Sequence, residues 1–315
     1  KINYENGTIM LEGKEYKLKD TNFPTINPEN PFELTDAEKE LMNLLRSSFL
    51  RSEKLQNHVK FLYEKGSIYL TFNNNLLYHG CIPMNSDGTF TEVTLFGETV
   101  SGKSLMDKAE QLARDGYFAK NGSEEKEYGK DFLWFLWCGC YSPVYGKNKM
   151  TSFERYFIDD ESTWVEIKDE YYHLIEKPSV CNKILCEFGI DPNNFSHIIN
   201  GHVPVKKGES PIKSNGKLLV IDGGLSKAYQ KVTGLAGYTL LFNSHGLLLS
   251  AHDAFESIES AIKEEKDIHS TLDVVELAPN RLLVEDTDAG KSLSKKITDL
   301  KALVDAYLKG KIKTH

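Results

Sequence analysis

Long apolar runs are missing from this 315-residue chain. The most apolar-looking cluster, Phe132 to Trp137, falls far short of the roughly 20 residues that a membrane span needs. A basic excess is missing too, because 38 Lys and Arg stand against 46 Asp and Glu, a net charge of −8. Nucleic-acid binders grip phosphate backbones through a basic face, so no nucleic-acid partner is expected. Neither a glycine-rich phosphate loop nor a dinucleotide fingerprint occurs, which removes the usual signatures of nucleotide-cradling folds. Cysteine is scarce and odd in number, at 81, 138, 140, 181 and 186. Disulfide frameworks belong to small secreted domains, so these read as reduced thiols of a cytoplasmic protein. Neither Cys138-Gly-Cys140 nor the interval from Cys181 to Cys186 has zinc-finger spacing. No repeat, low-complexity segment or targeting sequence is present. The first residues, Lys1-Ile-Asn-Tyr, carry no initiator Met, and the chain is expected to begin inside a longer protein.

What is there is the composition of a globular protein: 40% hydrophobic, 27% charged and 11% aromatic. The pattern predicts an α/β fold of mixed α+β type in three segments: 1–66, 67–255 and 256–315. The first holds a hairpin over 8–18, a proline-rich loop over 22–34 and two helices. Thr35-Asp-Ala-Glu38 is a capping box, in which each side chain satisfies a free amide at a helix start. Leu41, Leu44, Leu45 and Phe49 follow at helical spacing, and a second helix stops at Gly66. Strands over Ser67–Phe72 and Leu76–His79 flank Asn73-Asn-Asn75, and residues 104–118 form a helix. After a charged loop at 121–130, Phe132–Trp137 reads as an aromatic strand. Cys181–Phe188 is helical, and Ile198-Ile199 and Leu218–Ile221 are short buried strands. Hairpins follow at Tyr238–Ala251 and at Val274–Glu285, the latter turning at Pro279-Asn280. The final helix, about 292–308, lines up Leu293, Ile297, Leu300, Val304 and Leu308 on one face, which suits a subunit contact in a homo-oligomer.

Two histidines stand out by position. His79 closes a strand in Leu76-Leu-Tyr-His-Gly, and His202 follows one in Ile198-Ile-Asn-Gly-His. In each, an adjacent glycine lets the backbone turn and present imidazole at a strand's carboxyl end, where α/β sites are built. Neutral imidazole is the commonest metal-ligating side chain, although a lone histidine after a strand is more often a structural hydrogen-bonding group. Lys147, Lys149 and Arg155 cluster within nine residues. Such a cluster can form an anion site, with Arg155 gripping phosphate bidentately, or a solvated basic face. Lys227 and Tyr229 follow the Gly223-Gly224 turn, which allows either a phosphate contact or a plain strand-to-loop turn. Asp267-Ile-His269 has the Asp-x-His spacing of two-metal phosphatases, yet no apolar strand precedes it and it reads as solvated surface.

These strings resemble class III fructose-1,6-bisphosphatase: His79-Gly-Cys-Ile-Pro83, Tyr145-Gly-Lys-x-Lys-Met-Thr-x-Phe-Glu-Arg-Tyr-Phe157, Asn200-Gly-His-x-Pro-Val205 and Ile221-Asp-Gly-Gly-x-Ser-Lys-Ala-Tyr-Gln230. Asp20-Thr-Asn-Phe-Pro and Ser52-Glu-Lys-Leu-Gln-x-His58 add to the likeness, which runs to about residue 255. The family is calcineurin-like. The resemblance implies half of a two-sheet metallophosphoesterase sandwich flanked by helices, with 67–255 as the carboxyl-terminal half of its catalytic domain. It maps His79 and His202 onto the family's last two metal ligands. Arg155, Lys147, Lys149, Lys227 and Tyr229 become substrate-binding residues, and manganese, as two divalent ions, is the implied cofactor. The implied reaction is hydrolysis of fructose 1,6-bisphosphate, in gluconeogenesis. A broader phosphomonoester or protein phosphatase and a non-catalytic regulatory or assembly half are the alternatives. No Gly-Asp and no Gly-Asn-His occurs in the chain, so the family's first three ligand motifs are absent. Two ions about 3.5–4 Å apart need a bridging carboxylate and further donors. The chain is therefore expected to be inactive without a missing N-terminal half, its partner alongside the sugar bisphosphate. No residue is assigned as general acid.

Overall fold

The computed structural model describes residues 1–206, 208–222, 228, 230–234, 237–252, 257–265 and 270–312. The chain runs through β1 (Ile2–Asn3), β2 (Thr8–Leu11) and β3 (Lys14–Lys17) into α1 (Asp36–Arg51) and α2 (Glu53–Lys65). Next come β4 (Tyr69–Phe72), β5 (Asn75–Tyr78), β6 (Val93–Leu95) and β7 (Glu98–Val100). Helices α3 (Gly102–Phe118), α4 (Glu124–Cys138), α5 (Ser152–Phe157), α6 (Tyr171–Leu174) and α7 (Pro178–Glu187) precede β8 (His197–Asn200). After β9 (Ile212–Lys213) and β10 (Leu218–Val220) come α8 (Gln230–Thr233), β11 (Gly237–Asn243) and β12 (Gly246–His252). The order ends with α9 (Ile258–Glu264), β13 (Ser270–Leu277) and α10 (Asp288–Leu308). This is a mixed α/β protein, and among the described residues no helix is long and apolar enough to cross a membrane.

Contacts divide the chain into two compact units that interleave along the sequence. The first comprises 1–68, 92–100 and 105–169. Its β1–β3 meander packs Ile9 and Leu18 against Ile158, with Phe153 and Phe157 around them. A second cluster joins the β6–β7 hairpin to α3 and α4 through Val93, Leu95, Leu105, Phe132 and Leu136. The capping box at α1 is formed as the sequence predicts, with the Thr35 amide donating to Glu38 Oε2 at 2.7 Å and the Glu38 amide to Thr35 Oγ1 at 3.3 Å.

The aromatic run at 132–137 is not a strand. It is the second half of α4, and the charged stretch before it is the first half. Ser123 caps the helix by accepting from the Lys126 amide at 3.3 Å. Glu124, Glu125 and Glu127 then stand at the positive end of the helix dipole. Phe132 and Leu136, one turn apart, are buried, whereas Trp134 and Trp137 are exposed; that spacing is helical.

The second unit comprises 69–91, 101–104 and 170–315. Its main sheet has the order β4-β5-β8-β10-β9, with β5, β8 and β10 parallel and the two edge strands antiparallel. Parallel strands buried on both faces are apolar throughout, which is why Leu76-Leu77, Ile198-Ile199 and Leu218–Val220 lack alternation. A second, antiparallel sheet, β11-β12-β13, lies against the first. Leu247, Leu240 and Val275 from it share one cluster with Ile199, Leu219, Leu77 and Ile212. His197, fully buried on β8, links the two sheets: Nδ1 lies 2.9 Å from Asn75 Oδ1 and Nε2 lies 2.8 Å from Glu276 Oε2 on β13. Burial pushes the His197 imidazole below its ordinary range, although the Glu276 carboxylate acts the other way.

The hairpin expected over 274–285 does not form. β13 pairs instead with β12, whose other edge holds β11. The Asp286 carboxylate draws the Leu283 amide into a tight turn at 2.8 Å, and residues 284–286 are 3-10 helical. Thr287 then caps α10 by accepting from the Gly290 amide at 3.1 Å.

Candidate functional site: a pair of histidines at a strand edge

Three adjacent parallel strands present their carboxyl ends side by side, and the residues just past them carry the chemistry. His79 follows β5, Gly201 and His202 follow β8, and Asp222 stands two residues beyond β10. The Gly201 amide donates to the His79 carbonyl at 3.1 Å, so the first two ends are tied beyond the last regular rung. The Val205 amide donates to the Asp222 carbonyl at 2.9 Å, which folds the segment after His202 back toward the third.

His79 Nε2 and His202 Nδ1 lie 3.4 Å apart, with ring centroids 5.2 Å apart and planes at 89°. The histidines are 123 residues apart in sequence, and the sheet alone brings them together. Glycine's part differs from the expected one. His202 itself takes the left-handed backbone, at φ 66°, while Gly201 serves close approach. A Cβ on Gly201 would stand 3.3 Å from His79 Nδ1 and 3.6 Å from Asp222 Cβ.

Two imidazole nitrogens at this separation fit a shared divalent ion. Metal–nitrogen bonds of about 2.0–2.1 Å at a tetrahedral angle place two ligand nitrogens about 3.3 Å apart. The pair does not make a complete site. Among the described residues no three His, Cys, Asp or Glu side chains are grouped to hold a metal ion.

Behind the pair lies a buried polar chain. Tyr78 and Asn200, the residues before His79 and Gly201, both reach the Tyr171 hydroxyl on α6. The two phenol oxygens are 2.6 Å apart, and Asn200 Nδ2 donates to Tyr171 at 2.7 Å. Asn200 Oδ1 is buried without a hydrogen-bond partner. Burial pushes both phenols well above the ordinary tyrosine range, so both stay protonated.

The basic cluster belongs to the other unit and carries its own acceptors. Lys147 pairs with Glu166 at 2.7 Å and Lys149 with Glu12 at 2.9 Å. Arg155 donates to Thr151 Oγ1 at 3.1 Å and to the Trp164 carbonyl at 3.0 Å. Burial pushes Glu166 up, and the Lys147 ammonium with the Thr151 amide and hydroxyl outweigh it, bringing the carboxyl down to about 2. Lys227 and Tyr229 lie outside the described residues, as do Asp267 and His269.

Asp222, Asn200 and Tyr171 were not singled out by sequence reasoning. Asp222 carried a usable signal, an acidic residue between a buried strand and two glycines. Tyr171 carried none, since nothing in its local sequence tells that it will lie beneath two strand ends.

Comparison with known proteins gives a consistent result. The family model described as Firmicute fructose-1,6-bisphosphatase matches residues 1–309. A protein of Alkaliphilus metalliredigens (strain QYMF) named fructose-1,6-bisphosphatase class 3 is 58% identical over 99% of this chain and 48% of its own length. Proteins with the same name from Clostridium novyi (strain NT) and Clostridium botulinum (strain Alaska E43 / Type E3) are 56% and 57% identical, again over 99% of this chain, with 47% and 48% of their own lengths covered. The chain spans about half the length of the curated relatives it matches. No solved structure matches.

Proposed function

The chain belongs to the Firmicute fructose-1,6-bisphosphatase family, and from that premise we propose that it supplies part of the site hydrolysing fructose 1,6-bisphosphate to fructose 6-phosphate and phosphate. The observation that carries this reading is the meeting of His79 and His202 at 3.4 Å. Water adds across the bond between phosphorus and the C1 oxygen; the phosphoryl group takes the water oxygen, and the sugar oxygen leaves with a proton. In this reading His79 and His202 hold divalent metal, manganese by the family resemblance. When bound, the metal supplies Lewis-acid stabilisation of the phosphoryl oxygens. The sheet's contribution is to keep the two imidazoles fixed before substrate arrives, which removes their ordering cost from the reaction.

Arg155, Lys147 and Lys149 hold the substrate's phosphates in the same proposal, and its support is family likeness, since each already has a local partner. Lys227 and Tyr229 are assigned to substrate on that likeness alone. The remaining metal ligands come from the part of the protein beyond these residues, because two imidazoles leave most of a dinuclear shell unfilled. The chain then corresponds to the carboxyl-terminal half, since the family's ligand order places the His-Gly and Gly-His turns last. These residues alone are inactive in this reading. Five free thiols suit a reducing cytoplasm. A homo-oligomeric contact through α10 belongs to the same reading.

The test is His202→Ala in the full-length protein, meaning these residues with the remainder that the relatives carry. Manganese content is expected to fall and turnover to drop at least about 100-fold, as removal of a metal ligand does. Unchanged metal content and turnover reject the assignment. Turnover on a phosphopeptide equal to that on fructose 1,6-bisphosphate would move the reaction to a broader phosphatase.

A further inference from the structure

We propose that the Tyr171 hydroxyl is a positioning group for the histidine pair, tying Tyr78 and Asn200 together so that His79 and His202 stay within ligating distance. The inference rests on the reading of those histidines as metal ligands and deepens it.

The geometry begins with register. β5 and β8 are parallel and pair through Leu77↔Ile199, so Tyr78 and Asn200 share the next rung. Side chains on one rung of a parallel pair leave the same face of the sheet. Both turn toward α6 and meet the same hydroxyl, at 2.6 Å and 2.7 Å. All three residues are buried, with Tyr171 at 0% exposure.

This rung is the last before the ligands. Beyond it lie the 3.1 Å link from Gly201 to the His79 carbonyl, the left-handed turn at His202, and the bonds of the Val203 amide to the Gly201 carbonyl at 2.8 Å and of the Val205 amide to the Asp222 carbonyl at 2.9 Å. Whatever fixes the rung therefore helps fix where the imidazoles begin. The Asn200 backbone is held by β10, whose neighbouring Ile221 amide donates to its carbonyl at 3.0 Å, whereas its side chain has the Tyr171 hydroxyl on Nδ2 and no partner on Oδ1. Losing the Tyr171 hydroxyl would leave both ends of that amide unpaired in a dry interior, and a buried amide without partners moves to find some. Gly201 and His202 follow it directly in the chain. A nitrogen–nitrogen separation of 3.4 Å is close to the spacing around one ion, so a shift of a few tenths of an ångström is felt as lost affinity.

The experiment uses the full-length protein with Tyr171→Phe, and Asn200→Ala as a second cut of the same tie. Ile184→Val, in the same unit on α7, is the control for lost stability alone. Free and bound Mn²⁺ are counted by electron paramagnetic resonance, and imidazole ¹⁵N shifts are recorded without metal. Supporting groups of ligating histidines typically cost 10–100-fold in metal affinity when removed. Tyr171→Phe and Asn200→Ala should each weaken Mn²⁺ binding about tenfold or more and shift the His79 and His202 nitrogens. Ile184→Val should change neither, even where its loss of melting temperature is as large. Wild-type affinity and unshifted nitrogens in Tyr171→Phe would overturn the proposal. If His202→Ala binds Mn²⁺ as well as wild type, the ligand reading fails on its own, and the nitrogen shifts still decide whether Tyr171 positions the pair.

Discussion

Glu166 shows how much a single carboxylate can depend on its surroundings. Lys147 and the amide and hydroxyl of Thr151 converge on it, and its side chain is only 16% exposed. Its carboxyl is brought from 4.5 to about 2 on folding, so the stability it gives is present above pH 4.5. That stability is lost as pH falls from 4.5 toward 2. Glu166→Gln should cost about 1–3 kcal/mol at pH 7, the usual worth of hydrogen bonds to a charged group. The difference from wild type should shrink below pH 4.5 and vanish near pH 2 in urea unfolding followed at several pH values. A difference independent of pH would show that the charge is not what matters. The histidines teach a different lesson at this scale. His79 and His202 were legible because each follows an apolar run and sits beside a glycine. His197, five residues before His202, ends up buried between two sheets, and its local sequence gives no sign of the Glu276 partner.

Elements were legible wherever one local signal dominated. The Thr35–Glu38 capping box, the Asn73-Asn74 turn with φ of 48° and 61°, and the hairpin at 237–252 all form where the sequence places them. Phe132–Trp137 misled because six apolar residues fit either period, and the acidic start of α4 settles the matter eight residues earlier. The same helix crosses α3 through glycine on both sides. A Cβ on Gly129 would collide with the Gly116 backbone and approach the Leu112 carbonyl to 2.7 Å. Backbone cannot yield as a flexible side chain can. Gly129→Ala should therefore destabilise by at least about 1–3 kcal/mol, the cost of overpacking, despite alanine's better helix propensity. A rise in melting temperature would mean the helices do not approach this closely.

Across the whole molecule, much apolar surface stays exposed on single helices. On α10, Leu293, Leu300 and Val304 are 56%, 62% and 57% exposed, and on α1 Leu44 and Phe49 are both 64% exposed. Helical spacing correctly found these faces, but spacing says nothing about whether a face finds a partner within the chain. At protein concentrations low enough to keep these 315 residues monomeric, Leu300→Lys combined with Val304→Lys should shift urea unfolding by no more than about 0.5 kcal/mol, as for exposed positions generally. A cost of several kcal/mol would mean the stripe is packed inside the chain.

The sequence by itself determined the mixed α/β class, most element positions, the two histidines and the family likeness, because these reside in short-range patterns of period, caps and strings. The tertiary structure decided which strands are neighbours, and with that everything at the candidate site: the 3.4 Å meeting of His79 with His202, Asp222 beside them and Tyr171 beneath. Strand adjacency is set by burial of apolar faces contributed from distant parts of the chain, and no local pattern encodes which distant face will be chosen.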